Sequence, residues 1–236
     1  MAQDTRTLRL GSWNIRAGLG TDLRRDPLRT LDAIAAMEAQ VVALQEADFR
    51  LGARPSALPV AAIRDRTGME PVTLGGAGIG WHGNALLVAP GLAVEEARVH
   101  DLPGLEPRGA ISVDLAGPLP LRVVAVHLGL LRRSRKAQLA AIRAYLDDLP
   151  SRPTVIVGDF NEWSRRRGMD PLGPGFHLVT PGRTFPSRRP LVALDRIACS
   201  RELKVTPLPI RRGRGPQPSD HLPILADVSL RAAQAK

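Results

Sequence analysis

Thr154-Val155-Ile156-Val157-Gly158 is an apolar run that stops at a glycine and then presents an acid and an amide, Asp159 and Asn161, two residues apart. In extended backbone, residues i and i+2 point to one face, so the pair is expected to project together at the carboxyl end of a strand, in a geometry that holds a ligand. The competing expectation is an Asx-type turn in which both side chains serve only the backbone. The pattern recurs along the chain. Asn14 ends the face of Leu8, Leu10 and Ser12, Glu46 ends the run from Val41, and His127 ends the face of Leu121, Val123 and Ala125. Asp195 lies within the stretch Leu191 to Ser200, and Asp220-His221 stands just before Leu222 to Leu230. A strand that enters antiparallel begins where its partner finishes, so one rim of a sheet can collect the whole set. Glu46, Asp159, Asp195 and Asp220 gathered there would not all ionise cheaply without a compensating cation. Oxygen and amide donors without thiolates suit a hard ion, Mg²⁺ or Mn²⁺, over structural zinc.

The elements that must position these residues are readable from period and punctuation. Leu8 to Ile15 alternates like a strand, and Asp26-Pro27 has the cap and first-turn proline of a helix with Leu28, Leu31 and Ile34 as its stripe. Val41 to Glu46 is a short buried strand, and residues 55–68 form a weaker helix ending at Gly68, followed by a glycine-rich loop from Gly75 to Gly80. Gly83 to Ala89 and Leu92 to Val99 are expected to form a hairpin around Pro90-Gly91. Arg108 to Leu115 and Leu121 to Leu128 are two further strands parted by Gly117-Pro118. A basic helix from Arg132 to Leu149, with Leu139, Ile142, Tyr145 and Leu146 on its buried stripe, leads into the central run. Beyond Trp163 the chain is expected to be loop-rich, with an Arg165-Arg166-Arg167 run and a flexible basic loop from Arg211 to Gly215, up to the strands from Leu191 and Leu222.

With 236 residues, 44% of them hydrophobic, the chain can bury one substantial core, and a single domain over 1–236 with its core at about 8–230 is expected. The single Cys199 allows neither an intramolecular disulfide nor a thiolate zinc site, which makes a reducing, cytoplasmic compartment the expectation. The start of the sequence has no apolar h-region, and no run approaches the roughly 18 apolar residues of a membrane span. A net charge of +10, carried almost wholly by arginine, favours anionic partners. Such a bias also follows from composition alone, so it lends only mild support to a phosphate-bearing substrate. Aromatic content of 3% leaves few platforms for stacking bases, which argues against a dedicated single-strand binder.

Trp13-Asn14-Ile15, Leu44-Gln45-Glu46, Gly83-Asn84-Ala85-Leu86-Leu87, Val126-His127-Leu128-Gly129, Gly158-Asp159-Phe160-Asn161, Leu194-Asp195-Arg196-Ile197 and Ser219-Asp220-His221-Leu222-Pro223 occur in an order that resembles the endonuclease/exonuclease/phosphatase family of metal-dependent hydrolases. Each motif is weak alone; the ordered set is specific. The resemblance implies an α/β fold, a four-layer α/β/β/α sandwich of two packed mixed, largely antiparallel sheets, with the site at one end of the sheets. It implies a Mg²⁺-dependent phosphoesterase, phosphodiesterase-like or nuclease-like, that cleaves a phosphodiester by in-line attack of water.

Residue by residue, Glu46 resembles the principal metal ligand, with Asn14 and Asp220 helping directly or through water. Asp195 resembles the carboxylate that orients and charges His221, and Asp159 with Asn161 resembles the pair that positions water and phosphate. His127 stands where members carry a phosphate-binding or leaving-group histidine, and Arg108 and Asn84 are the remaining candidates for substrate phosphate. Whether Asp159 or His221 is the base, and whether one metal or two are used, stays open at this stage. Abasic-site nucleases of the family carry a tyrosine near the position of His127, whereas the one tyrosine here, Tyr145, lies in the basic helix. The expected partner is a phosphate-ester substrate, with nucleic acid, phospholipid headgroup and sugar phosphate all open, and the expected oligomeric state is a monomer. The alternative is a non-catalytic nucleic-acid-binding or scaffold protein that retains the same fold.

Overall fold

The computed structural model describes residues 7–49, 52–75, 78–164, 168–209 and 212–232. Arg165 to Arg167, Arg211 of the expected basic loop, two residues of the glycine-rich stretch and both ends of the chain lie outside the described residues. In chain order the elements are β1 (Thr7–Asn14), α1 (Pro27–Ala35), β2 (Val41–Gln45), α2 (Val60–Thr67), β3 (Glu70–Pro71), β4 (Gly80–Trp81), β5 (Asn84–Val88), β6 (Val94–Leu102), β7 (Arg108–Leu115) and β8 (Leu121–His127). They continue with α3 (Arg132–Asp147), β9 (Thr154–Asp159), β10 (Phe176–Val179), β11 (Asp195–Ser200), β12 (Leu203–Leu208) and β13 (Ile224–Leu230).

Two mixed sheets face each other. One runs β12-β13-β1-β2-β5-β3, with β4 also on β5, and the other runs β10-β11-β9-β8-β7-β6. Leu8 and Leu10 of β1, Val41 and Ala43 of β2, Val123 and Ala125 of β8, Val155 and Val157 of β9 and Ile197 of β11 share the core between the sheets. The alternate residues face outward. Trp13, Val42 and Leu44 pack under α1 and α2 with Leu31, Ile34 and Ile63. Val124, Val126 and Ile156 pack under α3 with Leu139 and Ile142. This is the expected sandwich of two sheets with helices on the outer faces.

Each sheet holds one parallel pair, and these pairs explain where the site falls. β1 and β2 run parallel with Asn14 beside Gln45, and β8 and β9 run parallel with His127 beside Asp159. Parallel neighbours finish at the same end. The inward rows therefore start apolar and end, by period 2, in Asn14, Gln45, His127 and Asp159 at one rim of the inter-sheet core. β11 enters antiparallel to β9 with Asp195 directly opposite Asp159.

Several local expectations hold in detail. Asp26 accepts a hydrogen bond from the Arg29 backbone N–H at 2.9 Å with Pro27 at the first helical position, and Gly68 ends α2 in the left-handed region. Others change. α2 begins at Val60, and Ser56, whose hydroxyl donates to the Leu58 carbonyl, belongs to the preceding turn. β5 and β6 are no hairpin: β5 pairs with β2, β3 and β4 in one sheet, β6 pairs with β7 in the other, and Pro90-Gly91 carries the chain between sheets. Turn residues signal a reversal but not the sheet the chain enters next. Beyond Trp163 the chain also forms β10 and β12, which complete the two sheets at their edges. The strand expected from Leu191 starts at Asp195.

Candidate active site

Asp159 occupies the middle of the rim. It is buried, and its two carboxylate oxygens have different partners. Oδ1 accepts the Asn161 backbone N–H at 2.9 Å, the Asx-type bond. Oδ2 accepts the Asn14 side-chain amide at 3.2 Å and lies 3.5 Å from His127 Nε2 and 3.8 Å from His221 Nε2. The Asx-type expectation is met on Oδ1, while Oδ2 faces the other polar ends of the rim. Burial raises the Asp159 pKa, and the Asp195 carboxylate opposite raises it further. The His221 charge and the hydrogen bonds from Asn161 and Asn14 pull the other way, and the balance stands at about 6.

The glycine before Asp159 is required by packing. Gly158 sits at φ +148, where a Cβ would meet the Val126 carbonyl oxygen of the parallel neighbour. Asn161 does not stand beside Asp159 on an extended strand. β9 stops at Asp159, Asn161 turns to φ +49, and its amide donates to the Leu128 carbonyl at 2.9 Å. It ties the ends of β8 and β9 together.

His221 is held from three sides. Its Nδ1 lies 2.9 Å from Asp195 Oδ2, its carbonyl accepts the Trp13 indole N–H at 2.9 Å, and the Phe185 ring packs against it, tilted by 47° at 5.0 Å between centroids. The preceding Ser219 donates its hydroxyl to the Asn14 carbonyl at 2.6 Å, which stitches this loop to the end of β1. Burial by itself would lower the imidazole pKa. The Asp195 charge and hydrogen bond, with Asp159 and Asp220 behind them, outweigh it and raise the value to about 10. Asp220 lies 3.3 Å from Arg16 across the loop that follows β1.

Beside this cluster opens a cavity of about 220 Å³ lined by Glu46, His127 and Arg108, with Asp48, Arg54 and His82 on its far wall. Glu46 follows β2 in the left-handed region at φ +52, a strained position for a residue with a side chain. Arg108, at the start of β7, is buried, with its Nε 3.1 Å from Glu106 Oε2. The far wall was not visible in the sequence. Asp48 binds Arg54 through two hydrogen bonds of 2.9 and 3.2 Å, and Arg54 Nη1 lies 2.9 Å from His82 Nδ1. These residues sit in loops, where neither period nor capping gives a signal.

Asn84 is not brought to this cavity. It is fully buried, and its Nδ2 donates to the carbonyls of Gly109 at 2.9 Å and Trp81 at 3.4 Å. Its amide hydrogens thus clasp the start of β5 to the opposite sheet, away from the residues that line the cavity.

The donor set fits a hard cation. Asp159 and Asp195 are buried carboxylates directly opposite each other, Asp195 Oδ1 is buried without a hydrogen-bond partner among the described residues, and Glu46 lines the adjoining cavity. Like charges so placed gain from a nearby cation. Among the described residues, no three His, Cys, Asp and Glu side chains form a ready-made cage. A cage is not required for Mg²⁺, which is commonly held by one or two carboxylates together with water and substrate. Cys199, whose Sγ lies 2.9 Å from His177 Nε2, is buried in the core between the sheets.

Known proteins share this fold and part of this sequence. The YbhP protein of Escherichia coli (strain K12), described as uncharacterized, is 34% identical over 165 residues, which are 64% of this chain and 64% of YbhP. The human Nocturnin catalytic domain with bound sulfate anion shares the fold with a TM-score of 0.74 at 19% identity, covering 96% of this chain and 94% of that one. Truncated TDP2 of Caenorhabditis elegans gives 0.67 at 20% identity, covering 96% and 100%. At such identities these structures speak to the fold alone. Residues 11–221 match the Endonuclease/Exonuclease/phosphatase family, whose members are typically metal-dependent phosphoesterases or nucleases, and the chain belongs to that family.

Proposed function

We propose that the protein is a Mg²⁺-dependent phosphoesterase that hydrolyses a phosphodiester by in-line attack of water. The observation that carries this reading is the meeting of Asp159 Oδ2 with Asn14, His127 and the His221–Asp195 pair at the edge of a cavity that also holds Glu46 and Arg108. Glu46, which lines the cavity, would hold the cation, with Asn14 and Asp220 supporting it. The bound ion would supply positive charge to the phosphate oxygens.

The side chains divide the remaining work. Asp159, with its raised pKa, is ionised but basic at neutral pH and takes the proton as the water oxygen bonds to phosphorus. The bond from phosphorus to the leaving ester oxygen breaks, and that alkoxide takes a proton from solvent. His221 is held as imidazolium by Asp195, so it acts as a charged donor to a non-bridging oxygen and not as the base. His127 and Arg108 offer further donors there, and Asn161 fixes the turn that aims Asp159.

Hydrolysis of bis(p-nitrophenyl) phosphate measured with and without EDTA tests the reading. Activity is expected with Mg²⁺ and is expected to disappear with the chelator. Glu46→Gln, which removes one negative charge, is expected to raise the Mg²⁺ concentration needed and to lower the rate together. Full rate for this variant at limiting Mg²⁺ would place the ion elsewhere.

A further inference from the structure

Large apolar side chains left in water are unevenly distributed over this molecule. Val94 and Leu230 are exposed at the end of the sheets away from the site. The loops around the site expose many more. Leu105, Leu130, Leu131 and Trp163 form one lip: Leu130 lines the cavity, its backbone N–H donates to Glu106 next to Leu105, and Glu162 next to Trp163 binds Arg132 next to Leu131. Phe49, next to Asp48 of the cavity lining, and Leu23 are exposed as well, and the Arg25 guanidinium lies 4.9 Å from the centre of the Phe49 ring. Leu105 is 78% exposed, Trp163 64% and Leu131 53%. Exposed apolar groups clustered on one face mark a surface that meets another phase or partner.

The charges on the same rim select the partner. Arg24, Arg133, Arg188 and Arg189 are exposed there with no carboxylate partner among the described residues. Several acids of this end are engaged by arginines, Glu106 by Arg108, Asp48 by Arg54, Asp22 by Arg29, Asp220 by Arg16 and Glu162 by Arg132, while Asp101 pairs with His82. The result is a set of apolar loop tips interleaved with uncompensated positive charge. Single-stranded nucleic acid would need aromatic faces to stack on, and most of these tips are leucines. The cavity points the same way. At about 220 Å³ it is smaller than the roughly 300–1,000 Å³ of pockets that engulf a whole ligand, so it has room for the phosphate end of a substrate whose remainder stays outside, against the rim.

From this arrangement we infer that the site end of the molecule docks onto an anionic lipid surface, with the leucines and Trp163 entering the interface and the arginines meeting acidic headgroups, so that the substrate phosphodiester is that of a phospholipid. The substrate half of this inference rests on the proposed phosphoesterase activity; the docking half does not.

Docking is measured by sedimentation of the full chain, in EDTA, with vesicles of phosphatidylcholine alone or mixed with phosphatidylglycerol. Binding is expected only to the mixed vesicles, with a blue shift of tryptophan emission that Trp163→Phe removes. The pair Leu105→Ser/Leu131→Ser and the pair Arg133→Glu/Arg189→Glu are each expected to weaken binding about tenfold or more while hydrolysis of bis(p-nitrophenyl) phosphate stays unchanged. No vesicle binding, binding indifferent to the leucine pair, or a Trp163 response to a single-stranded oligonucleotide and not to vesicles would each overturn docking. If vesicles bind as expected but no EDTA-sensitive hydrolysis is found, docking stands and the phosphoesterase reading falls. If phosphatidylglycerol is not hydrolysed although the soluble ester is, the assignment of the substrate to this phospholipid falls.

Discussion

Asp159 answers two demands on two oxygens, one for the turn and one for the site, and its environment decides its chemistry. Desolvation and the facing Asp195 raise its pKa to about 6, so kcat/KM is expected to climb as pH rises through that region, where the base ionises. Activity is expected to fall again toward pH 10, where His221 gives up its proton. The Asn14 amide stabilises the charged form, so Asn14→Ala should move the ascending limb to higher pH, and a pH–rate profile of this variant checks the direction. Asp195 and His221 share one hydrogen bond and are expected to act as a unit. Each alanine substitution should cost about a hundredfold or more in kcat, and the double variant little beyond either one. Rates that multiply independently would separate the two residues. Most of this cluster was legible as polar residues ending apolar runs. The bent path of Asn161 was not, because a turn with positive φ follows from the tertiary bond to Leu128 and not from local spacing.

At the scale of elements, the segment after β9 is anchored by an ion network that the sequence did not suggest. Glu162 is buried and accepts hydrogen bonds from Arg132 at 2.8 Å, from Arg135 at 2.9 Å and from the Ser164 backbone N–H, while Arg196 donates to the Glu162 carbonyl. Two arginines at the start of α3 and one from β11 thus pin the residues that follow Asn161. Burial alone would raise the Glu162 pKa; the hydrogen bonds and charges of Arg132 and Arg135 outweigh it and hold the value near 2. A carboxyl lowered on folding stabilises the fold above its unfolded value and loses that contribution as pH falls toward the folded one. Glu162→Gln should therefore cost about 3 kcal/mol near neutral pH, since it leaves buried Arg135 without its countercharge. The gap in melting temperature should narrow below pH 4, and thermal unfolding across pH measures it. The sequence showed an amphipathic basic helix and a run of turn residues. Their pairing was hidden because exposed and buried arginines look alike in a sequence. The same limit hid the passage of β5 and β6 into different sheets, since Pro90-Gly91 reads as a reversal in either case.

At the scale of the molecule, the sandwich separates stability from reactivity along one axis. Period-2 rows fill the space between the sheets with Leu, Val and Ile, and the same rows end in polar side chains at one rim. That architecture was readable because alternation and motif order both depend on the chain alone. The convergence of loops from both sheets depends on closure of the fold and was not. Around this rim the positive charge acts at a distance, because a net charge of +10 carried largely by arginine sets up a field that reaches about 10 Å at 0.1 M salt and only about 3 Å at 1 M. A small ester has one charge to steer, whereas an anionic vesicle or a nucleic acid presents many. Raising salt is therefore expected to leave kcat/KM for bis(p-nitrophenyl) phosphate nearly level while it lowers kcat/KM on a polyanionic substrate. Steady-state rates on both substrates over the same salt series check this. Equal loss on both would place the salt effect at the cation or the fold, and a level profile on both would show that the arginine-rich rim plays no part in capture. A steep profile on vesicles that levels at a non-zero rate in high salt would fit a surface that captures through arginine and stays attached through leucine, because screening removes the first interaction and leaves the second.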